Sequence, residues 1–397
     1  MRLAGRRVLL GVSGGIASYK ACTIARRLTE AGAAVDAVLT AAASEFVRPI
    51  TFEALTGRPV LASLWERDRA LSHIHLARDA ELIVLAPATA NLLARAAVGI
   101  ADDLLTAILL ATRAPVLMAP AMNDEMYAHP ATQANVDALE RRGWVRVGPA
   151  TGALAEGPSD RPGRMAEPEE IVAFAERLLR APASPLAGRC VVVTAGPTRE
   201  FLDAVRVVTN PSSGRMGYAI AAAAFARGAR VLLLSGPSAL PTPWGVERRD
   251  VRTTEELHEA VEDALPGTDV LVMAAAPADY RPARRAAGKR ARGEGRLTVE
   301  LEATADILES TAAARRPGGV AVGFALEHGD GLERARAKLK RKALDLIVLN
   351  RADDPEGGFE VETNRVSFVT ADGSRDLGVL SKREVAERLL DEIETRL

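Results

Sequence analysis

Two glycine-rich turns, each directly after a short apolar run rich in β-branched residues, constrain how this chain can fold. The first lies in RVLLGVSGGIASYK at 7–20 and the second in CVVVTAGPTREFLDAVRVVTNPSSGRMG at 190–217. A glycine-rich turn between a strand and a helix directs backbone N–H groups and the helix N-terminus toward one point, which suits a phosphate. The two turns lie about one domain apart, so the sequence predicts two nucleotide-sized sites on one polypeptide.

The order of apolar segments around these turns predicts two domains of α/β fold. A length of 397 residues exceeds what one hydrophobic core usually organises. Short apolar runs alternate with alanine-rich amphipathic segments, of which 16–31 and 130–142 are predicted helices. The predicted strands are 7–12, 34–39, 82–86, 115–119, 190–194, 230–235, 269–274, 319–324 and 345–349. This order is typical of two doubly wound, Rossmann-like domains with mostly parallel sheets and ligands at the carboxyl ends of the strands.

The segment RAPASPLAG at 180–188 has the composition of an exposed linker. We therefore expect a first domain at 1–182, a linker at 183–188 and a second domain at 189–397. Near the end of the chain, FEVETNRVSFVT at 359–370 predicts a strand, and 380–396 predicts an amphipathic closing helix.

Composition and charge favour small-molecule partners. The chain has 51 basic and 52 acidic residues and a net charge of −1, so no global field favours nucleic acid or an anionic membrane surface. Arg95, Asp102 and Asp103 interrupt the apolar stretch 81–111, which therefore does not predict a membrane span. The N-terminal residues do not resemble a signal peptide, and two cysteines form neither a disulfide framework nor a thiolate metal site. We expect a cytoplasmic protein.

The first turn favours a mononucleotide over a dinucleotide. Gly11, Ser13, Gly14 and Gly15 can surround a phosphate, but the pattern G-x-G-x-x-G is absent, and so is an acidic residue about 20 positions later that would hold a ribose. The second predicted strand ends at Thr40, which suits a mononucleotide phosphate or the edge of a flavin ring. A nicotinamide dehydrogenase is therefore disfavoured, and an ordinary tight turn is the alternative for this segment alone.

Three further segments narrow the function of the first domain: SHIHLARDAELIVLAPATANLLAR at 72–95, PAMNDEMY at 120–127 and GALAEGPSDRPGRMAEP at 152–168. Together they resemble the flavin-dependent cysteine decarboxylases, in particular the N-terminal half of the bifunctional phosphopantothenoylcysteine decarboxylase/phosphopantothenate–cysteine ligases of coenzyme A synthesis. The resemblance implies FMN as cofactor and His73 as catalytic base beside it. The other histidines, at 75, 129, 258 and 328, are interpreted as structural.

The same resemblance assigns the remaining residues of the first site. It implies that Asn123 binds the substrate carboxylate, and a neutral amide can orient this group without opposing loss of carbon dioxide. Methionines packed in a loop would be the alternative reading of this segment. The implied FMN-binding residues are Gly11, Ser13, Gly14, Gly15, Thr40, Pro87, Ala88, Thr89 and Ala90, and the implied substrate-binding residues are Met122, Met126, Arg164 and Met165.

One position of the first site departs from the family. The family pattern has a flap cysteine that supplies a proton, and Glu156 stands at that position here. A glutamate with a raised pKa can act as an acid near neutrality, so Glu156 is the expected replacement. Alternatively Asp160 serves as the acid, or the domain binds FMN without turnover. Cys22, on a predicted helix, is not expected to replace the flap cysteine.

The second domain resembles the ligase half of the same family from Thr194 to about Arg365. Thr194–Glu200 and the pattern from Asp203 to Gly217 match the family signature. The resemblance implies that Asn210 orients the reaction intermediate and that Arg206, Ser212, Ser213 and Gly214 bind substrate. The serines also precede a predicted helix at 216–227, where they could cap its N-terminus.

Further matches concern the nucleotide. The resemblance implies CTP with magnesium, and formation of an acyl-cytidylate of 4′-phosphopantothenate that cysteine then attacks. Lys289, in a run at 281–296 with seven basic residues and one acid, matches the lysine that stabilises this intermediate. That run would otherwise be a solvated loop, and it lacks the aromatic residues of a nucleic-acid platform. The implied CTP-binding residues are Ala275, Asp279, Lys289, Ala305, Asp306, Ile307, Leu308, Phe324, Lys338 and Lys342.

The sequence thus predicts a bifunctional enzyme of coenzyme A synthesis, with two alternatives. One is an active ligase fused to a flavin-binding domain with lost or altered turnover. The other is a non-catalytic flavoprotein that acts as a regulatory or scaffolding subunit. The resemblance also implies a homo-oligomer, with trimers of the decarboxylase domain, dimers of the ligase domain and dodecamers as a combination of both. Magnesium is inferred from the triphosphate alone, because no carboxylate cluster in the sequence indicates metal ligands.

Overall fold

The chain divides into two compact units, Met1–Arg180 and Ala181–Leu397, in a computed structural model of the protein. The structure describes residues 2–65, 71–289, 296–327, 329, 331–351 and 363–397. The boundary between the units falls at the start of the segment 180–188. Among the described residues, no helix has the length and apolar character needed to cross a bilayer.

The first unit contains a parallel five-stranded sheet in the described part of the chain, with strand order β2-β1-β3-β4-β5. Its strands are β1 Arg7–Val12, β2 Ala34–Leu39, β3 Leu82–Ala88, β4 Val116–Pro120 and β5 Val145–Arg146. The helices are α1 Ser18–Glu30, α2 Pro49–Thr56, α3 Ser72–Asp79, α4 Ala90–Val98, α5 Leu104–Ala111, α6 Asp124–Ala128, α7 Pro130–Arg141 and α8 Pro168–Arg180, with a 3₁₀ turn at Ala43–Glu45.

Alternate residues of β1 point to opposite faces of this sheet and enter two separate cores. Leu10 packs with α1 and α8 on one face, and Leu9 packs with α4, α5 and α7 on the other. Strands buried on both faces read as continuous apolar runs, which is why the sequence locates them. The prediction of a doubly wound first domain is confirmed, and ligands of such a sheet bind outside the carboxyl ends of its strands.

The second unit is built on an eight-stranded sheet, again counted over the described residues, with order β10-β9-β6-β11-β14-β15-β16-β17. The strands up to β15 are parallel, and β16 and β17 are antiparallel additions at one edge. The sheet strands are β6 Cys190–Ala195, β9 Arg230–Ser235, β10 Glu247–Asp250, β11 Val270–Met273, β14 Val320–Glu327, β15 Leu346–Arg351, β16 Thr363–Thr370 and β17 Gly373–Ser381. The prediction of a second, mostly parallel domain is confirmed. Positions 359–362 of the predicted strand 359–370 lie outside the described residues.

Two short antiparallel pairs and five helices complete this unit as described. The pairs are β7 Arg199–Phe201 with β8 Val207–Thr209, and β12 Tyr280–Pro282 with β13 Leu301–Ala303. The helices are α9 Arg215–Ala226, α10 Thr254–Ala264, α11 Ile307–Ser310, α12 Leu332–Arg341 and α13 Lys382–Glu394, with 3₁₀ turns at Ala181–Ala183, Leu265–Gly267 and Ala312–Ala314. A core of strand and helix residues that includes Val192, Leu257, Ile307 and Leu339 lies under α10, α11 and α12.

Gly217 allows α9 to lie unusually close to β6. A Cβ atom built on Gly217 would lie 2.5 Å from the Cβ of Ala195 and 2.7 Å from the carbonyl oxygen of Thr194. Because the obstacle includes strand backbone, a side chain at 217 would push the start of α9 away from the sheet. The signature glycine therefore positions the N-terminus of α9.

Candidate functional site

A cavity of about 760 Å³ opens at the carboxyl ends of β1, β3 and β4. Its size is within the range of sites that enclose a cofactor. The cavity brings together twelve of the residues that the sequence assigns to the first site. These are Ser13, Gly14, Gly15, Thr40, Thr89, Ala90, Met122, Asn123, Met126, Glu156, Arg164 and Met165.

Ser13 joins the turns after β1 and β3 into one ledge under this cavity. Its hydroxyl donates to the carbonyl oxygen of Pro87 at 2.7 Å and accepts from the backbone N–H of Thr89 at 3.1 Å. Thr89 in turn caps α4. Gly14 is required because a Cβ atom there would lie 2.4 Å from the Cβ of Ala42.

The ledge and its surroundings fit the expected FMN. The space next to Gly15 is open, since a Cβ atom there would find only Thr89 Cγ2, at 3.6 Å. Backbone N–H groups before α1 suit a phosphate, and apolar walls that include Ile16 and Leu92 suit a flavin ring. Gly11, Pro87 and Ala88 do not line the cavity. Gly11 packs against Leu105, and Ala88 is buried in the core, so these residues shape the turns from beneath.

Asn123 holds its amide in a fixed orientation toward the cavity. It is the N-cap of α6, and its Oδ1 accepts from the backbone N–H groups of Glu125 at 2.9 Å and Met126 at 3.2 Å. The Nδ2 group therefore remains for a ligand carboxylate. In this structure Nδ2 donates to the Oε1 of Glu156. The predicted carboxylate-binding amide thus directly contacts the predicted proton donor.

Glu156 belongs to a flap, residues 150–164, that folds over the cavity. Within the flap, isolated antiparallel β-bridges join Ala150 to Arg164 and Leu154 to Gly157. It is also joined to α6, since Ser159 Oγ donates to Asp124 at 2.6 Å and Arg161 pairs with Glu125. The hydrogen bond from Ser159 holds the pKa of Asp124 below its usual range. Asp160, the alternative acid, is exposed and does not line the cavity.

His73 lies on α3, partly buried, and does not line the cavity of its own chain. His75 is exposed on the same helix. His328 lies outside the described residues. Cys22, on α1, does not line the cavity either, and burial raises the pKa of its thiol. The structure therefore brings together six of the nine predicted cofactor residues and all four predicted substrate-binding residues, but not the predicted base.

Sequence reasoning missed two cations in the cavity wall. Lys20 is only 8% exposed, and its Nζ lies 3.1 Å from both carboxylate oxygens of Glu167, which also pairs with Arg164. Arg95 pairs with Asp103 at 2.9 Å. Lys20 stands inside the first quoted motif, but its pairing partner is 147 positions away, so the sequence alone gave no sign of this contact.

A second cavity, of about 410 Å³, lies in the other unit at the carboxyl ends of β11 and β14 and beside the start of α9. It brings together seven predicted residues: Asn210, Ser212, Ser213, Gly214, Ala275, Asp279 and Phe324. Asn210 donates from Nδ2 to the carbonyl oxygen of Pro277 at 2.9 Å and so joins the loop before α9 to the loop after β11. Gly214, with φ of 81°, begins α9 in the left-handed region.

Several predicted CTP-binding residues have other partners in this structure. Lys338 pairs with Glu327 at 2.7 Å, and Lys342 pairs with Asp306 at 2.8 Å. Burial would raise the pKa of Glu327, but Lys338 and Arg334 together hold this pKa below its ordinary value.

Other predicted residues of the second unit lie in the core or away from the cavity. Ile307 and Leu308 are buried in the core, and Ala305 lies just before α11. Arg206 lies near Asp203 at 3.4 Å. Lys289 is exposed, and positions 290–295 of the basic run lie outside the described residues.

Polar residues from a later part of the chain complete the second cavity, and sequence reasoning did not select them. They are Asn350, Asn364, Arg365 and Lys382. Within the described ranges, Asp279 is the one carboxylate in the cavity lining. No cluster of three or more His, Cys, Asp or Glu residues that could hold a metal ion occurs in the part of the chain that the structure describes.

Two family models match the two units. The model described as "Flavoprotein" matches residues 2–180, and the model described as "DNA/pantothenate metabolism flavoprotein C-terminal domain" matches residues 186–397. The coenzyme A biosynthesis bifunctional protein CoaBC of Vibrio cholerae is 46% identical over 392 residues, which cover 98% of this chain and 98% of that protein. The CoaBC protein of Mycobacterium tuberculosis is 49% identical over 407 residues, which cover 99% of this chain and 97% of that protein. With both units matched and nearly the full length aligned, the chain belongs to the CoaBC family of coenzyme A biosynthesis bifunctional proteins.

Proposed function

We propose that this chain joins 4′-phosphopantothenate to cysteine in its second unit and decarboxylates the product to 4′-phosphopantetheine in its first. The observation that carries this proposal is the presence of a separate cavity in each unit, lined by the motif residues of the corresponding activity. The ligase uses CTP and the decarboxylase uses FMN. The substrates are small molecules, no nucleic acid or membrane takes part, and we place the reactions in the cytoplasm.

In the decarboxylase cavity, FMN would be held by residues that follow β1, β2 and β3, namely Ser13, Gly14, Gly15, Thr40 and Thr89. The bound cofactor would supply a reversible two-electron acceptor next to the carbon that carries sulfur. Asn123 would orient the substrate carboxylate through Nδ2, because its Oδ1 is committed to the cap of α6. As a neutral donor it would not stabilise the carboxylate so strongly that loss of carbon dioxide becomes harder.

Glu156 is our candidate for the acid that protonates the decarboxylated product. Its carboxyl group contacts the amide that would hold the departing carboxylate, so it lies next to the site where the proton is needed. Asp103, the other carboxylate among the described residues of the cavity lining, is committed to the cap of α5 and to Arg95.

The position of His73 supports an oligomeric decarboxylase. His73 does not line the cavity of its own chain, whereas large apolar side chains near the cavity and near α3 are exposed, among them Ile16, Tyr19, Leu71 and Met126. We propose trimers in which His73 completes the cavity of a neighbouring subunit, with dimers of the ligase unit and dodecamers as the combined assembly. A second copy would cover these apolar side chains.

In the ligase cavity, CTP would activate the carboxylate of 4′-phosphopantothenate as an acyl-cytidylate, and cysteine would then displace CMP. Asn210 would orient the intermediate, and Ala275, Asp279 and Phe324 would bind the nucleotide. Magnesium would arrive with the triphosphate, and Asp279 could supply one protein ligand. Lys289, Lys338 and Lys342 would move to the phosphates, where positive charge stabilises the transferring groups. Lys338 would then leave Glu327, and Lys342 would leave Asp306, for the phosphate oxygens.

Separated partial reactions test the ligase assignment. Incubation with CTP, magnesium and 4′-phosphopantothenate but without cysteine should release pyrophosphate and retain CMP in an acyl-cytidylate. Later addition of cysteine should release CMP. Pyrophosphate release that does not depend on 4′-phosphopantothenate would contradict the proposal, since it would show nucleotide hydrolysis rather than carboxylate activation.

A further inference from the structure

A series of buried polar side chains lies behind the loop that follows β11. This loop, residues 275–279, forms part of the lining of the ligase cavity and ends at Asp279, which the sequence assigns to CTP. The polar side chains behind it are those of Thr198, Glu200 and Thr254, which are buried and do not line the cavity. We call residues 275–279 the nucleotide loop and the three side chains the buried relay.

Two threonine hydroxyl groups hold the backbone of the nucleotide loop. The N–H of Ala275 donates to Thr194 Oγ1 at 3.0 Å, and the N–H of Ala278 donates to Thr198 Oγ1 at 2.8 Å. A buried N–H group without an acceptor costs free energy, so the loop stays where both hydroxyl oxygens can accept. The position of Ala278, and with it that of the neighbouring Asp279, therefore depends on the orientation of the Thr198 hydroxyl.

Glu200 determines the direction in which the hydroxyl groups of the buried relay donate. An ionised carboxylate only accepts, and Glu200 Oε1 lies 2.9 Å from the hydroxyl of Thr254 and 2.8 Å from its backbone N–H. Thr254 therefore donates its single hydroxyl proton to Glu200 and accepts from the hydroxyl of Thr198, 2.9 Å away. The carbonyl oxygen of Ala278 is a more distant acceptor for Thr254, at 3.3 Å. With its proton directed to Thr254, Thr198 presents its oxygen to the N–H of Ala278.

The start of α10 stabilises the carboxylate of the buried relay. Glu200 is only 5% exposed, and a buried charge is costly unless it is well partnered. Thr254 is the first residue of α10, so its N–H group and the helix dipole both favour a negative charge at this point. The buried relay thus joins the N-terminus of α10 to the nucleotide loop through one directed series of hydrogen bonds.

The nucleotide loop is also held through its carbonyl groups. Thr304 Oγ1 donates to the carbonyl oxygen of Ala278 at 2.7 Å, and the N–H of Thr304 donates to that of Asp279 at 2.9 Å. Asn210 Nδ2 donates to the carbonyl oxygen of Pro277 at 2.9 Å. A change in the buried relay would therefore move groups that face the cavity.

We propose that Glu200 and Thr254 are positioning residues of the ligase, which act through Thr198 on the nucleotide loop and so place Asp279 for the nucleotide. Neither Glu200 nor Thr254 lines the cavity, so their effect on the reaction is indirect. This inference rests on the proposed ligase function and adds to it two residues to which the sequence assigns no role. Thr254 also lies outside every motif that the sequence presents.

Removal of single hydroxyl groups tests the inference on the full-length protein. KM for CTP is measured from pyrophosphate release with CTP, magnesium, 4′-phosphopantothenate and cysteine, and the free energy of unfolding is measured in urea. The variants are Thr254→Val, Thr198→Val, the double variant and Thr254→Ser, because valine removes the hydroxyl and serine keeps it. Glu200→Gln keeps the shape of the side chain and provides the test where Thr254→Val does not fold.

Thr268→Val is the matched control. Thr268 is buried like Thr254, and its hydroxyl donates to the carbonyl oxygen of Ala264 at 2.7 Å. It lies just before β11, at the opposite end of this strand from the nucleotide loop. Thr268→Val should therefore lower the free energy of unfolding and leave KM for CTP unchanged, which is the result of a merely structural role.

We expect Thr254→Val and Thr198→Val each to raise KM for CTP about tenfold, because a lost hydrogen bond releases groups that must be held in place. The double variant should be no worse than either single variant, since both side chains act through one series of hydrogen bonds. Thr254→Ser should keep KM for CTP close to that of the unaltered protein. Glu200→Gln should raise it by a smaller factor, because a neutral oxygen is a weaker acceptor than a carboxylate.

An unchanged KM for CTP in folded Thr254→Val, or in Glu200→Gln where Thr254→Val does not fold, would overturn the inference. Independent, multiplicative effects of the two valine variants would also overturn it. Absence of pyrophosphate release from CTP and 4′-phosphopantothenate in the unaltered protein would instead contradict the proposed ligase function.

Discussion

At the scale of single residues, Glu156 stands where the family pattern has a cysteine and contacts the amide of Asn123. We predict that Glu156→Gln lowers the rate of decarboxylation by about 100-fold or more, the range for loss of a general acid. The rate is measured as carbon dioxide release from 4′-phosphopantothenoylcysteine. Ligation should not change, because the ligase cavity lies in the other unit.

Two further variants make this prediction specific. Asp160→Asn should leave decarboxylation unchanged, since Asp160 does not line the cavity. Glu156→Cys should retain activity, because it restores the family's proton donor at the same flap position. Full activity of Glu156→Gln would contradict the assignment of Glu156 as the acid.

The two cysteines allow a prediction about pH. Burial raises the pKa of the thiols of Cys22 and Cys190. A raised pKa means that less thiolate is present at a given pH, and the thiolate is the reactive form. Alkylation by iodoacetamide should therefore be slower than that of a free cysteine at neutral pH and should rise about tenfold per pH unit toward the alkaline range. A labelling rate that does not rise with pH above neutrality would contradict a raised pKa for these thiols, because it would show that they are already ionised at neutral pH.

Residues in local motifs are the ones that the sequence brings forward as candidates. Asn123 and Asn210 were selected because the surrounding pattern is short and specific, and each lines its expected cavity. Lys20 and Lys382 were not selected, because their burial depends on neighbours from distant parts of the chain. Their roles, and those of all the site residues, remain predictions until the variants are measured.

At the scale of elements, the contact between α9 and β6 depends on Gly217. A glycine-to-alanine change inside a helix normally stabilises it by up to about 1 kcal/mol. Here the added Cβ would meet Ala195 and the backbone of Thr194. We therefore predict that Gly217→Ala lowers the free energy of unfolding by about 1–3 kcal/mol, the range for overpacking, measured by urea unfolding.

Gly267→Ala is the matched control, because a Cβ atom at Gly267 would find nothing within 4 Å. A Gly217→Ala protein as stable as the unaltered one would contradict the close approach of α9 to β6. If the clash is instead relieved by movement of α9, KM for 4′-phosphopantothenate should rise, since the helix start borders the ligase cavity.

The elements that the sequence located are those with a strong apolar pattern. The central strands β1, β3, β6 and β11 are buried on both faces and read as continuous apolar runs. The short pairs β7–β8 and β12–β13 have three residues per strand, too few for a period to emerge. β17, GSRDLGVLS, alternates poorly because most of its residues are at least partly exposed, and so it was not predicted.

At the scale of the whole molecule, the proposed trimer makes His73 act on a neighbouring subunit's cavity. A mixture of His73→Ala and Asn123→Asp proteins, each inactive in decarboxylation, should regain activity after the subunits are exchanged. Mixed trimers would then contain cavities with both residues intact. No recovery, with subunit exchange confirmed by mass spectrometry, would place His73 and Asn123 in the same subunit's site. Full activity of His73→Ala by itself would show that His73 is not required.

We propose that one chain performs both steps in succession. The most direct measurement is mass spectrometry of the products after the FMN-loaded protein is incubated with 4′-phosphopantothenate, cysteine, CTP and magnesium. We expect 4′-phosphopantetheine, with 4′-phosphopantothenoylcysteine as a transient intermediate that accumulates in Glu156→Gln. Persistent 4′-phosphopantothenoylcysteine in the unaltered protein would contradict the decarboxylase assignment, and formation of neither product would contradict both assignments.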